Sequence, residues 1–376
     1  MPRISVIVPI HDVENYLDDC LRSITAQTFR DLEVVMIDDG STDGSAAIAD
    51  RHAEGDRRLR LVRQPNGGLG HARNTGVMAA SGELLSFVDS DDRLPPDALA
   101  QLAAALDRTG SDFATGNVHR FTESRTWPAP FLRKAFLRRR SRTHVTRLRW
   151  LLSDRMAQNK LWRRSFWDAH GLRFPEGVLH EDIPVVVPAH FQARSVDVVA
   201  RPVYLYRVRE GSITQRRAEL RTLNDRFDAV ERTRAFLVRH GPYGSRRWYD
   251  ECAVAEDLRY HLDALPEAGV AYRETFLARA AAYLDRAGPA VEAALPPLQR
   301  RKWALVRAGR LPELLALVER ERAGVRVDRG YVARRRATQV FTVLRPARAP
   351  RRGDQRLPRP YSSFTSRPRS FEVPAL

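Results

Sequence analysis

Cysteine is scarce: Cys20 and Cys252 are the only two in 376 residues. They lie far apart and match no metal-ligand spacing, so a disulfide framework is disfavoured and a reducing compartment fits. Long apolar runs are missing too. None approaches the roughly 20 residues that span a bilayer, and the apolar stretch behind Met1-Pro2-Arg3 is too short for a signal-peptide core. The expectation is a cytoplasmic protein whose membrane contact, if any, is peripheral and on the cytoplasmic face. Lysine is almost absent; nearly every cation is arginine, a bias that a GC-rich genome also produces. There is no internal repeat.

What is present is a core-forming sequence with unbalanced charge. Hydrophobic residues make up 43% of the chain, too many for disorder throughout. The length allows a main domain plus a smaller one. The net charge is +17. Residues 1–110 hold 11 arginines against 18 acidic residues, a balance of −7, which leaves +24 for the rest. An acidic front and a basic back suggest a polyanionic partner: an anionic polymer, or an anionic membrane contacted through the basic C-terminal region. No nucleic-acid-binding motif accompanies the charge, which disfavours nucleic acid.

Strand and helix patterns alternate from residue 3 to about 118. Residues 4–10 read as a buried strand, and 13–27 show helical spacing at Val13, Leu17, Leu21 and Ile24. Further strands are expected at 32–37, 60–62, 83–88 and 112–115. Ser41 or Thr42 is placed to cap a helix, Asn66-Gly67-Gly68-Leu69-Gly70 opens another through Ala80, and Pro95-Pro96 starts a third. This alternation predicts a doubly wound α/β sheet, mostly parallel and flanked by helices. Ligands of such sheets bind beyond the carboxyl ends of the strands. The polar segments Pro9–Asp12, Asp38–Asp43, Asn66–Gly70 and Asp89–Asp92 all fall there. Residues 119–150 read as irregular and basic, either a lid or acceptor-facing loop or a solvated linker. The expected division is an α/β domain at 1–218, a smaller helical region at 219–336, and an Arg/Pro-rich tail at 337–376 read as disordered.

Val6-Ile7-Val8-Pro9, Asp38-Asp39-Gly40-Ser41-Thr42-Asp43, Asn66 with Ala72-Arg73-Asn74, and Asp89-Ser90-Asp91-Asp92 together resemble the ordered motifs of family 2 glycosyltransferases, including those that build bacterial cell-wall and capsule polymers. The resemblance is strong over 3–118 and fair over 155–215. It implies the GT-A fold and an inverting transfer of a sugar, hexosyl or N-acetylhexosaminyl, from a nucleotide-sugar, by that resemblance a UDP-sugar, to a glycan, glycolipid or anionic glycopolymer. It implies a divalent metal, Mn²⁺ or Mg²⁺, on Asp91 with Asp89 at the metal or the ribose. Such hard cations take oxygen ligands, often only one or two carboxylates plus phosphates. It sets Pro9, Asp38 and Asp39 at the base, Asn66 and Arg73 at base or phosphate, and Lys160 at phosphate or sugar. In His180-Glu181-Asp182 it makes Asp182 the base that deprotonates the acceptor, with Glu181 orienting it or holding the acceptor. Arg207 and Thr214 become candidates for the diphosphate.

Each of these residues also has a plainer reading. Asp89–Asp92 could be a solvated acidic turn or a helix cap, and Asp38–Ser41 an Asx-type turn. The glycines could serve close loop packing, Glu181-Asp182 a helix N-terminus, and Trp162 and Trp167 the core. Two other functions compete: a sugar nucleotidyltransferase, disfavoured because His11-Asp12-Val13-Glu14-Asn15 replaces a triphosphate loop, and a polyanion- or membrane-binding module with a vestigial transferase domain.

Overall fold

The structure, a computed structural model, describes residues 2–209 and 216–324. Every residue of β1 (Ile4–Ile10) is buried, as the continuous apolar run requires of a strand covered on both faces. β1 pairs in parallel with β2 (Leu32–Asp39) and β4 (Leu84–Phe87), and β2 pairs in parallel with β3 (Leu59–Gln64). Side chains alternate across the sheet. Ile4, Val6, Val8 and Ile10 share one core with α1 (Glu14–Thr25), α2 (Ser45–Gly55) and α4 (Ala98–Thr109). Ile7, Val35 and Ile37 share the other with α3 (Leu69–Ala79). There α3 comes so close that a Cβ on Gly76 would lie 2.3 Å from Ile7 Cγ2.

The second half of the sheet departs from the expected parallel order. Its strands are β5 (Phe113–Thr122), β6 (Arg125–Pro128), β7 (Arg140–Thr143), β8 (Lys160–Arg163) and β9 (Val196–Arg207). The order is β3-β2-β1-β4-β8-β5-β9-β7, with β6 paired to β5. β8 runs antiparallel between β4 and β5, while β5 and β9 are parallel. Residues 119–150 are therefore not an irregular linker: they hold the end of β5, all of β6 and β7, and a 3₁₀ turn at Pro130–Leu132. The result is a mixed, mostly parallel sheet flanked by helices, the GT-A type of layout.

α5 (Arg164–Ala169) and α6 (Ile183–Gln192) complete the α3 face. From α7 (Leu220–His240) the described chain is helical: α8 (Ser245–Cys252), α9 (Leu258–Leu262), α10 (Val270–Ala287), α11 (Pro289–Ala293), α12 (Pro297–Arg307) and α13 (Leu311–Arg322). Their buried residues, Phe227, Phe276 and Trp303 among them, continue the core of the α1/α4 face. Residues 219–324 carry 18 cations and 16 carboxylates, so the described helices are close to neutral, and the basic excess of the C-terminal region lies in residues 325–376, with 13 cations and 3 carboxylates. Among the described residues no helix is long and apolar enough to cross a membrane. The tail from 337 lies outside the described residues.

Gly76→Ala is expected to cost about 1–3 kcal/mol by overpacking α3 on β1. Urea unfolding checks this; an unchanged midpoint would show that the helix can simply retreat.

Candidate active site

The polar loops at the ends of β1 and β2 are stitched together by carboxylates that accept backbone N–H groups. Asp12 accepts from Thr42 N (2.8 Å), Glu14 from Gly44 N (2.7 Å), and Asp43 from Glu14 N (3.0 Å) and Ser45 N (2.9 Å). The N-cap of α2 is Gly44, and the side chain that takes its first N–H is that of Asp43, not Ser41 or Thr42. Asp38 accepts Ser41 N at 3.0 Å and closes the turn in which Gly40 adopts a φ of 72°. Asp39 reaches the third loop: it accepts Gly67 N (3.0 Å), Gly68 N (2.8 Å) and Gln64 Nε2 (2.7 Å). Asn66 lies 3.0 Å from His11 Nε2. Pro9 is buried in β1 opposite Ile37. Asp38, Asp39, Asn66 and the end of β1 therefore share one sheet edge, as expected, and both Asp38 and Asp39 also serve the loops themselves. Gly70 is explained by packing, since a Cβ there would lie 2.1 Å from Pro175 O.

Arg73 is the cation of this edge. It sits on the buried side of α3 with no solvent exposure. One guanidinium nitrogen donates to Asp89 Oδ1 at 2.7 Å and the other to Glu181 Oε1. Its Cζ stands 5.2 Å from the centroid of Phe174, in a wall that includes Phe87, Trp167 and Trp162. Burial works against the charge, but Asp89, Glu181 and Asp182 outweigh it and hold the guanidinium pKa above its ordinary value. The next residue, Asn74, binds the backbone of Phe174 in both directions, at 2.9 and 3.0 Å. α3 thus joins the acidic cluster after β4 to the segment that leads to Glu181.

The acidic cluster itself is a tight turn, with Asp92 N bonded to Asp89 O at 3.0 Å. Asp89 accepts from Gln158 Nε2 as well as from Arg73. Asp92 is buried; it accepts from Tyr204 Oη and Arg207 N, both at 2.7 Å. Asp91 accepts from Arg209 Nε at 2.7 Å. Burial, then the charge of Asp89, raises the Asp91 pKa against the pull of Arg209. Burial and both neighbouring aspartates push Asp92 well up. Arg207 does not stand open to a diphosphate. It is 5% exposed, donates Nε to Asp91 O at 2.7 Å, pairs with Asp19 and packs 4.5 Å from the Phe121 ring. Thr214 lies outside the described residues. The sequence motifs miss Gln158, Tyr204 and Arg209, although the last two flank the candidate Arg207.

On the other side of Arg73, Glu181 is buried, and its pKa is pushed up to about 7 by burial and Asp182, against Arg73. Asp182, half-buried at the head of α6, is also raised, by burial first and Asp89 beside it, against Arg73 and Arg226. α7 holds the segment just before them: Asp225 accepts Leu179 N at 3.0 Å and Arg221 donates to Gly177 O at 3.2 Å.

Lys160 is not a ligand contact. Its ammonium has no exposure and pairs with buried Asp154 at 2.9 Å, with Asn159 Oδ1 at 2.8 Å. Burial lowers its pKa, and its place on β8 makes it an internal tie between strands. Trp162 and Trp167 are core, with 0% and 2% exposure.

Among the described residues no three His, Cys, Asp or Glu side chains form a metal cage. A hard divalent ion needs none if it takes one or two carboxylates and fills its shell with phosphate and water. Asp91 and Asp89 fit that role: burial and then the charge of Asp89 raise the Asp91 pKa, and Arg209 is the cation that now offsets it.

Residues 5–171 match the family described as glycosyl transferase family 2. EpsH of Bacillus subtilis, described as a glycosyltransferase, is 36% identical over 233 residues, 57% of this chain and 63% of EpsH. The glycosyltransferase GlyA of Streptococcus pneumoniae is 33% identical over 224 residues, 57% of this chain but 32% of GlyA. The chain thus spans less than two thirds of the length of these relatives. Among solved structures, S. aureus TarS 1–349 in complex with UDP-GlcNAc superposes with a TM-score of 0.67 at 22% identity, covering 87% of this chain and 93% of that one. At that identity the likeness bears on the fold.

A Glu181 pKa of about 7, against an ordinary value of 4.5, means the folded state keeps a proton that the unfolded chain has released. Stability should therefore fall as pH rises from about 4.5 to about 7. Glu181→Gln should flatten that part of the curve in urea unfolding; an unchanged slope would assign it to another group.

Proposed function

We propose that this chain, whose residues 5–171 match glycosyl transferase family 2, is an inverting glycosyltransferase using a UDP-sugar. The observation that carries the reading is the Arg73 bridge, which gathers the donor-side cluster and the acceptor-side carboxylates about one buried cation. The bound UDP-GlcNAc of the TarS structure supports the choice of UDP.

In this reading Pro9, Asp38, Asp39 and Asn66 face the nucleotide and Asp89 the ribose or the metal. Mn²⁺ or Mg²⁺ on Asp91, with Asp89, would neutralise charge on the diphosphate. Arg73 holds Asp89 and Glu181 in register and adds positive potential behind the donor. Asp182 takes the proton of the acceptor hydroxyl. The hydroxyl oxygen then forms the bond to the anomeric carbon as the bond to the UDP oxygen breaks, and configuration inverts in that single displacement. A raised Asp182 pKa makes this carboxylate a stronger base than an exposed one. Residues 1–218 act as the catalytic domain. The helices from 219 brace the acceptor side through Asp225 and Arg221. The acceptor is read as a glycan, glycolipid or anionic glycopolymer.

The test is UDP release from UDP-GlcNAc, UDP-glucose and UDP-galactose. Asp182→Asn should lower turnover by about 10²–10⁴-fold while donor affinity stays within a few-fold. Asp91→Ala should weaken metal-dependent donor binding itself. Wild-type protein that neither binds nor turns over any nucleotide-sugar would favour a polyanion-binding module instead.

A further inference from the structure

Among the described residues, the excess positive charge is concentrated in one segment of the sheet domain. Residues 124–153 contain nine cations and no carboxylate: Arg125, Arg133, Lys134, Arg138, Arg139, Arg140, Arg142, Arg147 and Arg149. Arginines elsewhere are commonly matched, as in the pairs of Arg226 with Asp257, Arg234 with Asp250 and Arg279 with Asp228. Among the described residues none of these nine is ion-paired. Their side-chain hydrogen bonds go to carbonyl oxygens, as that of Arg142 does to Thr109 O at 2.8 Å.

Apolar side chains stand out of the same segment. The 3₁₀ turn and its continuation bury Leu132, Ala135 and Phe136, which turns Phe131 and Leu137 outward at 42% and 65% exposure. Trp150, 38% exposed, lies under the Lys134 ammonium at 3.9 Å from its centroid, so the two ends of the segment form one surface. Arg149 stacks on Trp248 of α8 at 5.0 Å and extends that surface onto the helical region.

Unpaired cations with protruding leucine and aromatic side chains match an anionic bilayer interface. Phosphate headgroups take the guanidinium groups, and the acyl boundary takes Leu137, Phe131 and Trp150. A soluble polyanion satisfies only the cations and offers Leu137 nothing. We infer that residues 124–153 form a docking surface for anionic phospholipid, independent of the reaction catalysed. The described helices at 219–324 are near neutral and have no comparable excess of charge.

The experiment is co-sedimentation of the full chain with phosphatidylcholine vesicles, with and without about a third phosphatidylglycerol, at low and high salt. Thermal melts check that each variant is folded. Wild type should bind only the anionic vesicles and release in high salt. The double reversal Arg138→Glu/Arg139→Glu should lower partitioning by about tenfold or more. Leu137→Ser, which changes no charge, should lower it several-fold. Arg320→Glu, an exposed reversal on α13, should leave it near wild type. Unchanged binding in the double reversal, or an equal loss in Arg320→Glu, would overturn the inference. Wild-type binding in Leu137→Ser together with full competition by soluble polyphosphate would also overturn it, in favour of a polyanion site.

Discussion

A single buried guanidinium holds the two halves of the site together. Arg73 has no contact with solvent, and it is bonded to a carboxylate from the turn after β4 and to one from the head of α6. Taking such a charge out of water is expensive unless it is paired and hydrogen-bonded. The two carboxylates therefore constrain one another. Neither loop can swing away without leaving a buried cation half satisfied.

Other features follow from that constraint. α3 must lie hard against β1 to carry Arg73 inward, which leaves room for no side chain at Gly76. The space beside the guanidinium is filled by an aromatic wall from β4, β8, α5 and Phe174. The same desolvation that makes Arg73 costly raises the pKa values of Glu181, Asp182 and Asp91. The carboxylates on the edge are thus tuned by burial and by one another. The loops beyond β1 and β2 use another device, carboxylates on backbone N–H groups, to stay ordered while exposed.

Much of this was legible in the sequence where local pattern suffices. The apolar runs and helical spacing before residue 110 specify β1 to β4 and their helices, and loops at strand ends fall on one edge whatever their detailed bonding. Pairing over long range was not legible. β8 enters the sheet antiparallel between β4 and β5, and nothing in Lys160-Leu161-Trp162-Arg163 announces its neighbours. β6 and β7 are short, exposed and rich in arginine, so they lack the alternation that marks a strand. The family resemblance sets Lys160 at phosphate or sugar; only the fold reveals Asp154 as its buried partner. The role of Arg73 was half seen, since its reach to Glu181 spans 108 residues of chain.

The most direct test of this account is a double-mutant cycle in unfolding free energy, with Asp89→Asn and Glu181→Gln made singly and together. If both carboxylates act through Arg73, the two changes should be non-additive by about 1 kcal/mol or more. In an Arg73→Met background the same pair should become additive. Additivity in both backgrounds would contradict a shared buried cation as the element that joins the two halves of the site.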